Sequence, residues 1–184
     1  MDWHIKRAAA ILHQGGIVAY PTEGVWGLGC DPDNVEAVHR LLALKQRPWQ
    51  KGLILIAASY EQLAPYTAAP PAKVMKRVRA SWPGPVTWLL PACESTPPWL
   101  CGTHRSLAVR VTAHPVAAAL CRRFGGALVS TSANLAGRPA ARSRLHVQRY
   151  FGTDLDYIVP GALGVQGRAT EIRDALNGAV VRAG

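Results

Sequence analysis

The segment Lys45-Gln46-Arg47-Pro48-Trp49-Gln50-Lys51-Gly52 places three cations within seven residues, just ahead of the apolar run Leu53-Ile54-Leu55-Ile56. Such a cluster suits an anionic ligand. A helix is expected from about Asn34 to Leu44, because Val35, Val38, Leu41, Leu42 and Leu44 give it an apolar face. Pro48 ends that helix and pushes Arg47 toward an extended backbone. With the chain already extended at Lys45, residues two apart point the same way, and Lys45 and Arg47 would reach one anion together. The same cations would also complement the negative end of a helix dipole. The cluster alone does not separate these readings.

Three further strands run out into polar residues. Ile17–Tyr20 leads into Pro21-Thr22-Glu23-Gly24, Leu107–Val109 into Arg110, and Ala127–Val129 into Ser130-Thr131-Ser132-Ala133-Asn134. Open α/β sheets bind ligands beyond the carboxyl ends of their strands, where hydroxyls and amides can reach phosphate or carboxylate oxygens. The Ser/Thr/Asn run also suits helix caps and turns. Gly27-Leu28-Gly29 reads as a turn, and it lacks both the dinucleotide fingerprint and the Walker pattern.

The elements that must position these residues alternate between helix and strand, which gives an α/β fold. Helices are expected near Trp3–Gln14, Asn34–Leu44, Ala72–Ala80, His114–Phe124 and Leu145–Tyr150, with a short one from an Ser59 cap to Leu63. Strands are expected at Ile17–Tyr20, Leu53–Ala57, Val86–Leu90, Ser106–Val111, Ala127–Val129, Tyr157–Val159, Thr170–Arg173 and Ala179–Arg182. Glu94 to Arg105 reads as a surface loop. No repeat or linker divides the chain, so one domain over residues 1–184 is expected.

Composition narrows the function classes. An apolar share of 49% supports a folded core, while no apolar stretch approaches the roughly 18 residues of a membrane span. Nothing at the N-terminus resembles a signal peptide, so a cytoplasmic protein with no membrane partner is expected. Cys30, Cys93, Cys101 and Cys121 match neither a zinc-site nor a disulfide spacing, so no metal ligand is assigned. Twenty-one Lys and Arg against 11 Asp and Glu give a net charge of +10. That balance favours nucleotide or nucleic-acid partners. Arg138, Arg142, Arg144 and Arg149 fall close together, as a basic surface would require.

Six blocks then occur in a recognisable order. They are Tyr20-Pro21-Thr22-Glu23-Gly24-Val25-Trp26-Gly27-Leu28-Gly29, Lys45-Gln46-Arg47-Pro48 with Lys51-Gly52, and Trp82-Pro83-Gly84-Pro85-Val86-Thr87, then Leu107-Ala108-Val109-Arg110-Val111, Ser130-Thr131-Ser132-Ala133-Asn134-Leu135-Ala136-Gly137 and Glu171-Ile172-Arg173-Asp174. Together they resemble the YrdC-like threonylcarbamoyl-AMP synthase family in its short bacterial single-domain form, across nearly the whole chain. The resemblance implies a strongly twisted mixed sheet, flanked by helices, around a basic concave cavity. It also implies the joining of L-threonine, bicarbonate and ATP into threonylcarbamoyl-AMP with release of pyrophosphate. That product serves N6-threonylcarbamoylation of adenosine 37 in tRNAs reading ANN codons, with other proteins carrying out the later transfer.

Carried over by position, Lys45 and Arg47 match the KxR motif and would bind ATP phosphates as the catalytic cations. Lys51, Asn134, Ser132 and Arg182 would add nucleotide contacts, Ser132 lying near threonine as well. Arg110 would hold the threonine carboxylate, with Thr22 and Thr170 beside it. Two departures stand out: Gly24 replaces a threonine common in the family, and Ile56 replaces a histidine of some longer relatives. Mg²⁺ would ride on ATP, because Glu23 and Asp31 are the only acids near the motifs. A non-catalytic RNA-binding or RNA-maturation protein, with weak electrostatic tRNA contact, is the competing reading. A hydrolase or carbamoyltransferase on the same scaffold is a third.

Overall fold

The computed structural model describes residues 1–184. Nine strands form one mixed sheet: β1 (Val18–Pro21), β2 (Trp26–Gly29), β3 (Ile54–Ala57), β4 (Val86–Pro91), β5 (Ser106–Val111), β6 (Leu128–Ser132), β7 (Tyr157–Ile158), β8 (Glu171–Asp174) and β9 (Val180–Arg182). Their spatial order is β7-β1-β2-β6-β3-β5-β4-β8-β9. The β1/β7, β3/β5 and β4/β8 pairs are parallel and the rest antiparallel.

Period-two alternation sends each strand's side chains into two cores. Ile17, Ala19, Leu55 and Val129 join one core with Val38, Leu41 and Leu42 of α2 (Val35–Leu44), with α3 (Ala72–Arg79) and α6 (Arg144–Phe151) contributing Val74, Val78, Val147 and Phe151. Val18, Tyr20, Ile56 and Leu128 face the other core, closed by α1 (Asp2–His13) and α5 (Pro115–Phe124). Ile56 is wholly buried there and does not border the cleft described below.

Helix α2 forms as its sequence implies, with the Asn34 side chain accepting from the Ala37 amide. Its exit differs from the expectation. Lys45 is still helical in backbone, and Gln46 takes the left-handed conformation at φ 51°. The Gln46 amide bonds to the Ala43 carbonyl and the Arg47 amide to the Leu42 carbonyl, which is the Schellman pattern. Lys45 and Arg47 are therefore parted by a reversal, not aligned along an extended segment. Lys45 turns inward and is buried.

Four other expectations are corrected. Gly27-Leu28-Gly29 lies within strand β2, paired to β1 from Val18↔Gly29 to Pro21↔Trp26. A Cβ on Gly29 would fall 2.5 Å from the Val129 carbonyl and 2.9 Å from the Tyr20 ring. These glycines permit close approach within a sheet and do not mark a turn. Ser130-Thr131-Ser132 belongs to β6 and is not loop. Within the expected surface loop, Pro98 opens a short helix α4 (Pro98–Cys101) whose Leu100 and Cys101 are buried. The expected short helix near Leu63 is a 3-10 turn over Tyr60–Gln62 without a Ser59 side-chain cap.

A non-glycine residue in the left-handed region costs roughly 1 kcal/mol or more. Gln46→Gly should raise stability by about 0.5–1 kcal/mol after the added unfolded-state entropy. A higher urea midpoint with unchanged m checks this, and an unchanged or lower midpoint contradicts it.

Candidate active site

Leu128, Ser130 and Ser132 alternate along β6 and so face the side of the sheet covered by α1 and α5. In register, Ser130 lies across β3 from Ala108, and Leu128 lies across it from Arg110. Where the helices no longer cover this face, a cleft opens. It is bordered by Thr22, Arg47, Arg110, Ser132, Thr170 and Arg182, with Arg168 completing a set of four arginines and no carboxylate on its wall. An adjoining cleft shares Arg47 and Ser132 and adds Lys45, Lys51 and Asn134. Every residue assigned to ATP or threonine from the sequence therefore borders one of two adjoining clefts.

Lys45 anchors one end. Its Nζ donates to the Ser132 carbonyl at 2.5 Å, the Asn134 carbonyl at 2.9 Å and Asn134 Oδ1 at 3.1 Å. These use all three ammonium hydrogens. Asn134 is equally engaged: Ser132 Oγ donates to its Oδ1 at 2.6 Å, and its Nδ2 donates to the Leu135 and Arg138 carbonyls. A ligand reaches Lys45 by displacing one acceptor, and Asn134 Oδ1 is the longest of the three. Burial, then the neighbouring Arg47, lowers the Lys45 ammonium to about 8. Arg47 donates to the Gly52 carbonyl at 2.9 Å, while its buried Nε lacks a protein partner. Its own pKa is lowered by burial and then by Arg182. Lys51 is exposed on the 3-10 turn Trp49–Lys51 at the rim.

Arg110 anchors the other end and is only 4% exposed. Its Nη1 lies 3.3 Å from Glu23 Oε2. Thr112 Oγ1 and the Ala113 amide donate to Glu23 Oε1 at 2.7 and 3.0 Å. Burial pushes the Glu23 carboxyl up, but Arg110, Thr112 and the backbone amides together hold it below its ordinary value. Arg110 Nε is buried without an acceptor, while Nη1 and Glu23 Oε2 face each other in the ion pair without hydrogen-bond geometry. A buried donor left open beside a cleft is suited to a ligand's oxygen. Nearby, Thr22 Oγ1 donates to the Val25 carbonyl, the Thr170 hydroxyl meets that of Thr87 at 3.1 Å, and Arg182 Nη2 donates to the Thr170 carbonyl at 2.9 Å.

Glu23 was visible in the sequence only as a nearby acid, and its pairing with Arg110 is tertiary. Arg168 was missed altogether. Its signal was the glycine spacing Gly161, Gly164 and Gly167 in the segment before β8, which marks close backbone packing.

With this geometry in place, comparison with known proteins decides the family. The family model for the Sua5/YciO/YrdC domain, described as "Telomere recombination", matches residues 10–184. The chain belongs to this family. The threonylcarbamoyl-AMP synthase of Halorhodospira halophila is 61% identical over 180 residues, covering 98% of this chain and 94% of that protein. Among solved structures, P. abyssi Sua5 complexed with L-threonine superposes with a TM-score of 0.92 at 32% identity, covering 99% of this chain. This chain spans about half of that protein's length, 54%. E. coli YciO superposes with a TM-score of 0.86 at 26% identity, covering 100% of this chain and 90% of its own.

The Lys45 value would give a pH dependence to any phosphate held there. The ammonium is charged below about pH 8 and loses its proton as pH rises through that value. Apparent affinity for ATP should therefore fall roughly tenfold from about pH 7 to about pH 9, following the charged fraction. Titration calorimetry across that range checks this; a flat profile contradicts it.

Proposed function

We propose that this chain is an L-threonylcarbamoyladenylate synthase, a nucleotidyltransferase that makes threonylcarbamoyl-AMP and pyrophosphate from L-threonine, bicarbonate and ATP. The observation that carries this reading is a pair of adjoining clefts that share Arg47 and Ser132, each with a cation held out of water, Lys45 in one and Arg110 in the other. The near full-length similarity to a threonylcarbamoyl-AMP synthase, and to a structure containing L-threonine, supports the same assignment.

The threonine amine and bicarbonate combine to a carbamate with loss of water. A carbamate oxygen then attacks the α-phosphorus of ATP, and the bond to the β-phosphate breaks, its electrons leaving with pyrophosphate. Both partners are anions, so the barrier is largely one of charge and position. Lys45 and Arg47 would neutralise the triphosphate and the departing pyrophosphate. Lys51 and Arg182 would lie along the same phosphates. Asn134 would act chiefly by fixing Lys45, since its own amide is engaged within the protein. Arg110 would hold the threonine carboxylate, with Thr22, Ser132 and Thr170 around the rest of the amino acid.

No group of three or more His, Cys, Asp or Glu is placed to hold a metal ion, and Glu23 already serves Arg110. The donor set does not suit a resident magnesium site. Magnesium would enter with ATP as part of the substrate. No helix is long and apolar enough to cross a membrane, and we place the enzyme in the cytoplasm. Its product would pass to the proteins that transfer the threonylcarbamoyl group to tRNA. Direct tRNA contact would be weak and salt-sensitive. A purely RNA-binding role leaves the buried, acceptor-less Arg110 Nε without a purpose.

Pyrophosphate release should require ATP, L-threonine and bicarbonate together. Replacing threonine should give the order threonine, serine, valine, because a lost methyl is worth only about 1–3 kcal/mol while a lost hydroxyl leaves polar groups unpaired. Release without threonine, or valine surpassing serine, contradicts the assignment. Arg47→Ala should lower synthesis at least roughly tenfold through one lost charge-assisted contact. Lys45→Ala should do so and also destabilise the fold, since the Asn134 carbonyl loses its donor and two further oxygens lose one of theirs.

A further inference from the structure

The segment from Gly161 to Thr170 lies as a strap on the Thr22–Gly24 turn, and its last three residues border the cleft. The Gly164 amide donates to the Thr22 carbonyl at 3.0 Å and the Gln166 amide to the Glu23 carbonyl at 3.2 Å. His114 Nε2 lies 3.1 Å from the Ala162 carbonyl and ties down the strap's start. The two segments meet backbone to backbone. A Cβ on Gly24 would fall 1.6 Å from the Arg168 carbonyl oxygen, and one on Gly164 would fall 2.7 Å from the Glu23 carbonyl oxygen. Gly24 thus gives the Arg168 backbone the space that a threonine side chain would fill.

This packing brings Arg168 to the cleft wall. Of the four arginines there, Arg47 and Arg182 donate to carbonyls and Arg110 is paired with Glu23. Arg168 forms neither an ion pair nor a hydrogen bond with the protein, and it is exposed. The Glu23 carboxylate largely offsets the Arg110 charge. A carbamoylated amino acid carries two negative groups, a carboxylate and a carbamate. A single neutralised arginine cannot balance both at the Thr22 end of the cleft.

We propose that Arg168 is a second cation for the amino-acid substrate, placed there by the fit of its backbone against Gly24, and that it takes the carboxylate or carbamate group that Arg110 does not hold. The proposal rests on the synthase reading. Gly24 is then a specificity-determining position, because any side chain there displaces the strap and withdraws Arg168.

The test is calorimetric titration of the full chain with L-threonine in bicarbonate buffer, and separately with ATP, for wild type, Arg168→Gln, Arg168→Lys, Gly24→Ala and the Arg168→Gln/Gly24→Ala pair. Loss of one charge-assisted contact should weaken L-threonine about tenfold in Arg168→Gln, with ATP affinity within about twofold. Arg168→Lys should recover part of the loss. Gly24→Ala should reproduce it, and the double variant should be no worse than the single ones, since both act through one group. Unchanged L-threonine affinity in Arg168→Gln, or equal losses for L-threonine and ATP, overturns the proposal while leaving the synthase reading standing. A wild-type chain that binds ATP but not L-threonine overturns both.

Discussion

Positive charge held out of water, with too little carboxylate to balance it, is the constraint on which this molecule is built. Lys45 and Arg110 are almost fully buried, Arg47 is partly so, and Glu23 is the one carboxylate among them. Desolvating a charge is expensive unless it is paired and hydrogen-bonded. The protein answers mostly with carbonyl oxygens, those of Ser132, Asn134 and Gly52. These satisfy hydrogens without cancelling charge. What remains is a cleft whose lowest-energy occupant is an anion.

The fold follows from holding those oxygens in place. Strand β6 must end beside the exit of α2, so that the Ser132 and Asn134 carbonyls converge on one ammonium. The Schellman reversal at Gln46 turns Lys45 inward while sending Arg47 toward Gly52. At the other end, Glu23 meets Arg110 because Thr112 and the Ala113 amide hold the Glu23 carboxylate at the end of β5. The small residues of β2 let that sheet close on Tyr20 without pushing the strands apart. Function and packing share the same residues here, so the cationic motifs are also structural parts.

Much of this was legible from the chain. Helix α2 and the polar residues at the strand ends followed from periodicity and composition, while the Asn34 cap emerged only from the structure. The misreadings have physical causes. Gly27 and Gly29 carry a turn's composition, and only the tertiary approach of Tyr20 and Val129 explains them as strand. Gln46 adopts a backbone that favours glycine, so nothing in its type announced the reversal. Pro97 and Pro98 suggested a loop, although Pro98 is well suited to open a helix. The Glu23–Arg110 pair and the fit of Arg168 against Gly24 join residues far apart in sequence, beyond the reach of local patterns.

The claim that buried, uncompensated cations await an anion is tested most directly by thermal unfolding of the chain in increasing inorganic pyrophosphate, against sodium chloride at matched ionic strength. A ligand that binds only the folded state stabilises it by about 2.7 kcal/mol at a hundred times its Kd. The account predicts a Tm that climbs steadily with pyrophosphate and stays level with chloride. A Tm that responds identically to both salts would mean that the cleft's charge is already balanced from within, contrary to the account.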